Sequence, residues 1–232
     1  MATALALAPI ARASSAPLIA IDVGHSLQSS GAVSARGKTE FEFNRELATV
    51  VWQNIFAQGG AAFEIGADGN SVDPETRPAD ASTRNAKFFL SIHHDSVQAK
   101  YLEDWTWQGG VQRHADQFSG FSLFVSRKNK QVAASLRCAS AIGSALKAAG
   151  FTPSSHHAEK IEGEDRPWAD QANGVYYYDN LIVLKNAKIP AVLLEAGVIA
   201  NRDEELRMQD PTVRKRIGAA VATGLGNCGV LK

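Results

Sequence analysis

At 232 residues with 45% hydrophobic side chains, the chain can bury a full core, and its length suits one large domain better than two. Its 24 Lys and Arg balance 24 Asp and Glu, so no net positive field exists to hold nucleic acid or anionic lipid. No apolar run approaches the roughly 20 residues that span a bilayer, and a soluble mature protein is expected.

Residues 1–17 (MATALALAPIARASSAP) are alanine-rich and mildly apolar, and Ala11-Arg12-Ala13 has the A-x-A form found before signal-peptidase cleavage. No basic segment precedes the apolar part. The expectation is a signal peptide or leader remnant, and hence a periplasmic or secreted protein. Cys138 and Cys228 are too few for a disulfide scaffold or a zinc knuckle. In an exported protein they are free to pair; in a reducing compartment each is a small buried hydrophobe.

Leu18–Asp22 (LIAID) reads as a strand that delivers His25 to the loop after it. Residues 26–39 are rich in Ser, Gly and Ala without periodicity and read as loop. Phe43, Leu47, Val50, Val51 and Ile55 share one face at helical spacing, which predicts a helix from about Glu40 to Gln58, with Thr39 at its start and Gly59-Gly60 at its stop. A second strand covers 61–65, a surface loop 66–80, and a short polar helix lies near Arg84. Phe88–Asp95 (FFLSIHHD) then reads as a buried strand emerging at a polar site, and open α/β sheets place their ligands at such ends.

Residues 97–117 have no clean period yet hold Tyr101, Trp105 and Trp107; a connection of that length is expected to be a lid or binding loop, or else partly disordered. Gly120–Val125 resumes as strand. Val132, Leu136, Ala139, Ile142 and Leu146 mark an amphipathic helix ending at Gly150. Residues 153–173 form a second polar insertion, in which His156 and His157, like His114 in the first, are read as solvent-exposed. A helical segment at 181–184 precedes the apolar run Ala191–Leu194, which delivers Glu195, and Val213, Ile217, Val221 and Leu225 describe a last helix. This order predicts a single α/β domain over 18–232, with a mostly parallel or mixed central sheet and helices packed on both faces.

Strand ends bring His25, one of the pair His93 and His94, and Glu195 toward one sheet edge, with Glu40 opening the helix after the first strand. Two imidazoles and a carboxylate form the ligand set of zinc sites that keep a fourth position open. No serine or cysteine nucleophile is evident: the segment at Ser122 lacks the G-x-S-x-G elbow, and Cys138 lies in an alanine-rich helix. A nucleotide-binding ATPase is a remote alternative. Gly31–Thr39 (GAVSARGKT) approximates a P-loop, but five residues separate its glycines where the phosphate cradle has four.

Four segments, IAIDVGHS at 19–26, TEFEFNRELA at 39–48, FFLSIHHDS at 88–96 and PAVLLEAGVIANRDEE at 190–205, resemble in order and separation the signature blocks of the zinc-dependent N-acetylmuramoyl-L-alanine amidases. The resemblance spans about Leu18 to Leu225. It implies one zinc ion held by His25, Glu40 and His93, with Glu195 as the catalytic carboxylate. The implied reaction is hydrolysis of the amide between N-acetylmuramic acid and L-alanine, in peptidoglycan or muropeptides. Glu40 is preferred to Glu42 because the family pattern places an asparagine four residues on, and Asn44 fits. Neighbouring strand residues face opposite ways, so His93 meets the metal and His94 packs or hydrogen-bonds behind it.

Asp22 is then expected to orient a histidine, and Tyr101, Trp105 or Trp107 either to pack on glycan or peptide near the zinc or to pack within their own loop. The chain departs from the family where Ser26-Leu27-Gln28 replaces a glycine-rich continuation. Regulated members insert an inhibitory helix after the strand resembling 120–125; here only Ser126–Asn129 intervene, which implies activity without an activator protein. The non-enzymatic alternative is a peptidoglycan-binding protein that keeps the amidase fold without turnover.

Overall fold

The computed structural model describes residues 16–231, so the leader expected at 1–17 lies outside the described residues except for its last two. The apolar runs that end in polar residues become adjacent strands. β1 (Leu18–Val23) pairs in parallel with β2 (Ala61–Ile65) on one side and β3 (Phe88–Asp95) on the other. β3 in turn pairs in parallel with β9 (Ala191–Val198). Beyond it lie β6 (Ser122–Val125), antiparallel to β9, then β8 (Val175–Tyr177) and β7 (Trp168–Asp170), giving a mixed seven-stranded sheet of order β2-β1-β3-β9-β6-β8-β7.

Residue parity assigns each side chain to a face. Ile19, Ile21, Phe88, Leu90, Ile92, Val192 and Leu194 form one buried cluster with α1 (Glu40–Ala57), α3 (Val132–Ala148) and α6 (Pro211–Asn227). Ala20, Phe89, Ala191 and Leu193 form another, with Ala81 of α2 (Thr76–Thr83) and Val183 and Leu184 of α4 (Ile182–Lys185). Both faces of the central strands are therefore covered, which is why they read as nearly continuous apolar runs. The expected α/β domain with helices on both faces is what the chain adopts.

α1 starts where expected because the Glu42 carboxylate reaches back to accept the Thr39 N–H at 3.0 Å and the Thr39 hydroxyl at 2.7 Å, the reciprocal capping arrangement of helix N-termini. α2 begins earlier than the predicted helix near Arg84. Pro78 falls in its first turn, where a missing N–H costs no hydrogen bond. The first insertion is an ordered hairpin of β4 (Glu103–Trp107) and β5 (Gly110–His114), paired only with each other. α5 (Arg202–Gln209) was not expected. Asn201 caps it by accepting the N–H groups of Asp203 and Glu204. The buried Glu204 carboxylate ties Gly120 N–H and Val198 N–H together, and Glu205 pairs with Arg36 at 2.9 Å. Cys138 of α3 and Cys228 at the end of α6 form a disulfide across the helical layer.

Candidate metal centre and active site

The chain leaves β1 through Gly24 and turns at His25, whose φ of 68° lies in the left-handed region that non-glycine residues seldom adopt. A Cβ on Gly24 would stand 2.3 Å from the His93 ring, and one on Gly31, at φ 76°, 2.4 Å from Glu40 Oε2. Only glycine fits at either position. The His25 carbonyl is held by the guanidinium of Arg77, which also reaches the carbonyls of Val23 and Ser71 and pairs with Asp22 Oδ1 at 2.7 Å. The other Asp22 oxygen accepts the Ser91 hydroxyl at 2.5 Å. Asp22 therefore does not orient a histidine directly, as expected from sequence. Arg77 takes up its carboxylate, and Asp22 acts on His25 only by anchoring the residue that grips its backbone.

Glu40, in the first turn of α1, lies between two imidazoles. Its Oε2 is 3.0 Å from His25 Nε2, and its Oε1 is 2.9 Å from His93 Nδ1. Ala32 N–H and Asn44 Nδ2 donate to the same carboxylate at 3.0 and 3.1 Å. Burial alone would raise its pKa, but the hydrogen bonds and charges of His25 and His93 override that and hold it well below the carboxylate range. At His25, burial pulls the pKa down and the Glu40 hydrogen bond and charge more than reverse it, leaving it raised. One ligand atom from each of the three residues lies within 4.8 Å of the others. An ionised carboxylate converging with two imidazole nitrogens fits a zinc ion in number and type of donor.

His94 points to the opposite face. It packs on Phe43 at 5.3 Å between ring centroids and donates from Nδ1 to Asn44 Oδ1 at 2.9 Å. Burial presses its pKa down to about 3, so the ring is neutral. Asn44 passes this contact on to Glu40, so His94 supports the donor set from behind without belonging to it.

Glu195 is the register partner of His93 on the neighbouring parallel strand, which puts the two side chains next to each other on one face. The residue is half-buried; its Oε2 is buried and has no hydrogen-bond partner among the described residues. Burial first, then the charges of Asp95 and Glu40, push its pKa well above the ordinary value. A cleft of about 400 Å³ opens at His25 and His93, with Pro74, Arg77, Tyr178 and Ile182 also in its lining; Glu195 does not line it but neighbours His93, which does.

Tyr101, Trp105 and Trp107 are not among the residues lining that cleft. Trp105 donates to the Ala35 carbonyl at 2.8 Å and stacks on Trp107, with Arg36 over both rings. Tyr101 donates to Glu159 at 3.1 Å and packs on Phe118. The expectation of exposed insertion histidines fails. His156 and His157 are buried against Asp95 at the end of β3, and the His114 side chain is 11% exposed, 3.3 Å from Asp116. Asp95 was not singled out from the sequence, although it stands two residues beyond His93 in the same strand.

The sequence profile of the N-acetylmuramoyl-L-alanine amidases matches residues 19–227. The N-acetylmuramoyl-L-alanine amidase AmiC of Escherichia coli O6:H1 is 23% identical over 90% of this chain, which spans about half (52%) of that relative's length. Among solved structures, the N-acetylmuramyl-L-alanine amidase Ami1 of Mycobacterium smegmatis superposes with a TM-score of 0.72 at 20% identity, over 94% of this chain and 99% of its own. The N-acetylmuramoyl-L-alanine amidase of Clostridium difficile 630 gives 0.70 at 18% identity, over 91% and 96%. With the profile covering all four blocks and these structures sharing its sheet, the chain belongs to the N-acetylmuramoyl-L-alanine amidase family.

Proposed function

We propose that this protein is a zinc-dependent N-acetylmuramoyl-L-alanine amidase acting on peptidoglycan or muropeptides. The observation that carries the reading is the juxtaposition of a His25–Glu40–His93 donor set with Glu195 on the adjacent strand, whose Oε2 is buried and unpartnered among the described residues. One zinc ion held by His25, Glu40 and His93 supplies Lewis acidity toward the amide carbonyl and lowers the pKa of a water to about 7. Glu195 serves as the proton carrier, taking a proton from the attacking water and passing it to the departing alanine nitrogen. Its raised pKa favours the second transfer, because a carboxyl that holds its proton is able to act as the acid. Arg77 and Asp22 fix the loop bearing His25, and Asn44 fixes Glu40, so the donors are set before substrate arrives. The cleft has apolar walls from Pro74 and Ile182 and polar groups from Tyr178 and Arg77, suited to a peptide stem leaving a sugar acid.

Residues 126–131 join β6 directly to α3, leaving no room for an inhibitory helix, and the enzyme is taken to work without an activator protein. The Cys138–Cys228 disulfide and the family membership support an extracytoplasmic location. No helix among the described residues is long and apolar enough to cross a membrane. The deciding experiment is digestion of sacculi with and without chelator, with identification of new amino termini. Free stem peptides beginning with alanine, lost on chelation and restored by zinc, are expected. Zinc-loaded protein that binds sacculi without releasing termini would instead mark a binding module, and cleavage only after an activator is added would refute the autonomy of the enzyme.

A further inference from the structure

We propose that Asp95, His156 and His157 form a second metal site, separate from the His25–Glu40–His93 set, that takes a divalent transition metal of the zinc class. The two Nε2 atoms converge on one carboxylate oxygen: His157 Nε2 is 2.7 Å and His156 Nε2 3.1 Å from Asp95 Oδ2. One ligand atom from each residue lies within 4.8 Å of the others. His156 Nε2 sits off the line of a hydrogen bond and has no partner among the described residues, although its side chain is only 4% exposed. His156 Nε2 thus meets Asp95 at ion-pair distance but off the line of a hydrogen bond, a contact that a shared metal ion would complete.

The far side of each ring is anchored as metal-binding imidazoles are. His157 Nδ1 is 2.9 Å from Glu164 Oε2, and His156 Nδ1 is 2.7 Å from Ser154 Oγ. The Glu164 carboxylate accepts from His157 Nδ1–H, and the Ser154 hydroxyl is able to accept from His156 Nδ1–H, the tautomers in which each Nε2 lone pair faces a metal. Ser154 is itself held, its N–H donating to the Phe121 carbonyl at 2.8 Å and its own carbonyl accepting the Tyr176 hydroxyl at 2.7 Å. Phe118 and Phe124 flank the rings at 5.4 and 4.9 Å and keep water from satisfying the donors. Two imidazoles with a carboxylate select zinc, cobalt or nickel over magnesium or calcium, which prefer oxygen. A buried imidazolium at His157 between Asp95 and Glu164 would account for that ring, but it leaves His156 Nε2 beside Asp95 Oδ2 at 3.1 Å without hydrogen-bond geometry. An ion there fastens the 153–173 segment to the end of β3, the strand that carries His93.

The test is metal stoichiometry. Chelator-stripped protein is dialysed against zinc, and metal per chain is measured by mass spectrometry. Wild type is expected to hold two ions, His93→Ala one, and the His156→Gln/His157→Gln double variant one, with circular dichroism confirming that each variant is folded. A wild type that saturates at one ion, lost in His93→Ala and kept in the double variant, overturns the proposal. Anomalous diffraction at the zinc edge from wild-type crystals needs no variant: a peak between Asp95 Oδ2 and the two Nε2 atoms is expected, and its absence at saturating zinc is equally fatal.

Discussion

Asn44 is the residue on which the ordering of the metal centre can be measured most directly. Its Nδ2 donates to the Gly24 carbonyl and to Glu40 Oε1, both at 3.1 Å, and its Oδ1 accepts from His94 Nδ1 at 2.9 Å. The residue is fully buried. In Asn44→Ala the His94 N–H and the Gly24 carbonyl are left without this partner, at about 1–3 kcal/mol each. Glu40 loses one donor but retains its contacts to Ala32, His25 and His93; at the lower end of about 1 kcal/mol for each of the three groups, the total is about 3 kcal/mol. For a domain of this size that corresponds to a fall in Tm of roughly 6–12 °C. Because Glu40 also loses the donor that fixes its rotamer, zinc affinity is expected to drop by about 10–100-fold. Thermal melts of the chelator-treated protein and competitive zinc titration read the two effects separately. A variant that melts within about 2 °C of wild type and binds zinc within about twofold would show that Asn44 neither supports Glu40 nor partners His94.

Replacing Glu195 by Gln keeps shape and removes the proton carrier. Activity on sacculi is expected to fall by about 10²–10⁴-fold while zinc content stays unchanged; loss of the metal would point to a ligand role instead. The same variant tests linkage. An acid whose folded pKa is raised loses stability as pH climbs above its unfolded value, so wild type should weaken with rising pH relative to Glu195→Gln. His93→Ala is expected to abolish zinc binding at the catalytic set, and His94→Ala to retain much of it; equal losses would refute the division of roles between the two faces of β3.

His157 is held between Asp95 and Glu164 and faces His156; burial lowers its pKa, but the carboxylates raise it to about 9 from 6.5. A raised imidazole stabilises the fold below its unfolded pKa and ceases to do so as pH passes its folded one. Chelator-treated wild type should therefore lose stability between pH 6.5 and about 9, and His157→Gln should show a flatter curve in denaturant titrations across that window.

The central architecture could be read from the sequence because each of β1, β3 and β9 is an apolar run terminated by a polar residue, and because α1 and α3 present periodic apolar faces. The same pattern places two of the candidate site residues together: parallel pairing in register puts Glu195 beside His93. What escaped has a physical reason in each case. The β4–β5 hairpin is exposed along much of both strands, so it has no buried face to impose an alternating pattern. α5 packs through Glu204, Glu205 and Met208, and buried carboxylates that bond to backbone groups leave no apolar periodicity. The Asp95–His156–His157 cluster joins residues about 60 positions apart, and no local pattern encodes a contact made only when an insertion folds back on a strand end. Asp22 pairs with Arg77 rather than with a histidine because Arg77 reaches it from the start of a helix inside the 66–80 stretch, whose prolines and acids read as surface loop.

The covalent bond between Cys138 and Cys228 has a consequence for how such a protein changes over time. It locks α3 to α6 in the layer packed on one face of the sheet, whereas the hairpin at 103–114 and the segment at 153–173 are appended where the strands end. Of that helical layer, only the first turn of α1 contributes to the donor set, through Glu40. The appended segments are thus open to exchange or lengthening without loosening the helical frame, which makes the protein a grafting scaffold. If the proposed amidase function holds, transplanting these segments is expected to change substrate preference while the His25–Glu40–His93 set and Glu195 stay in place.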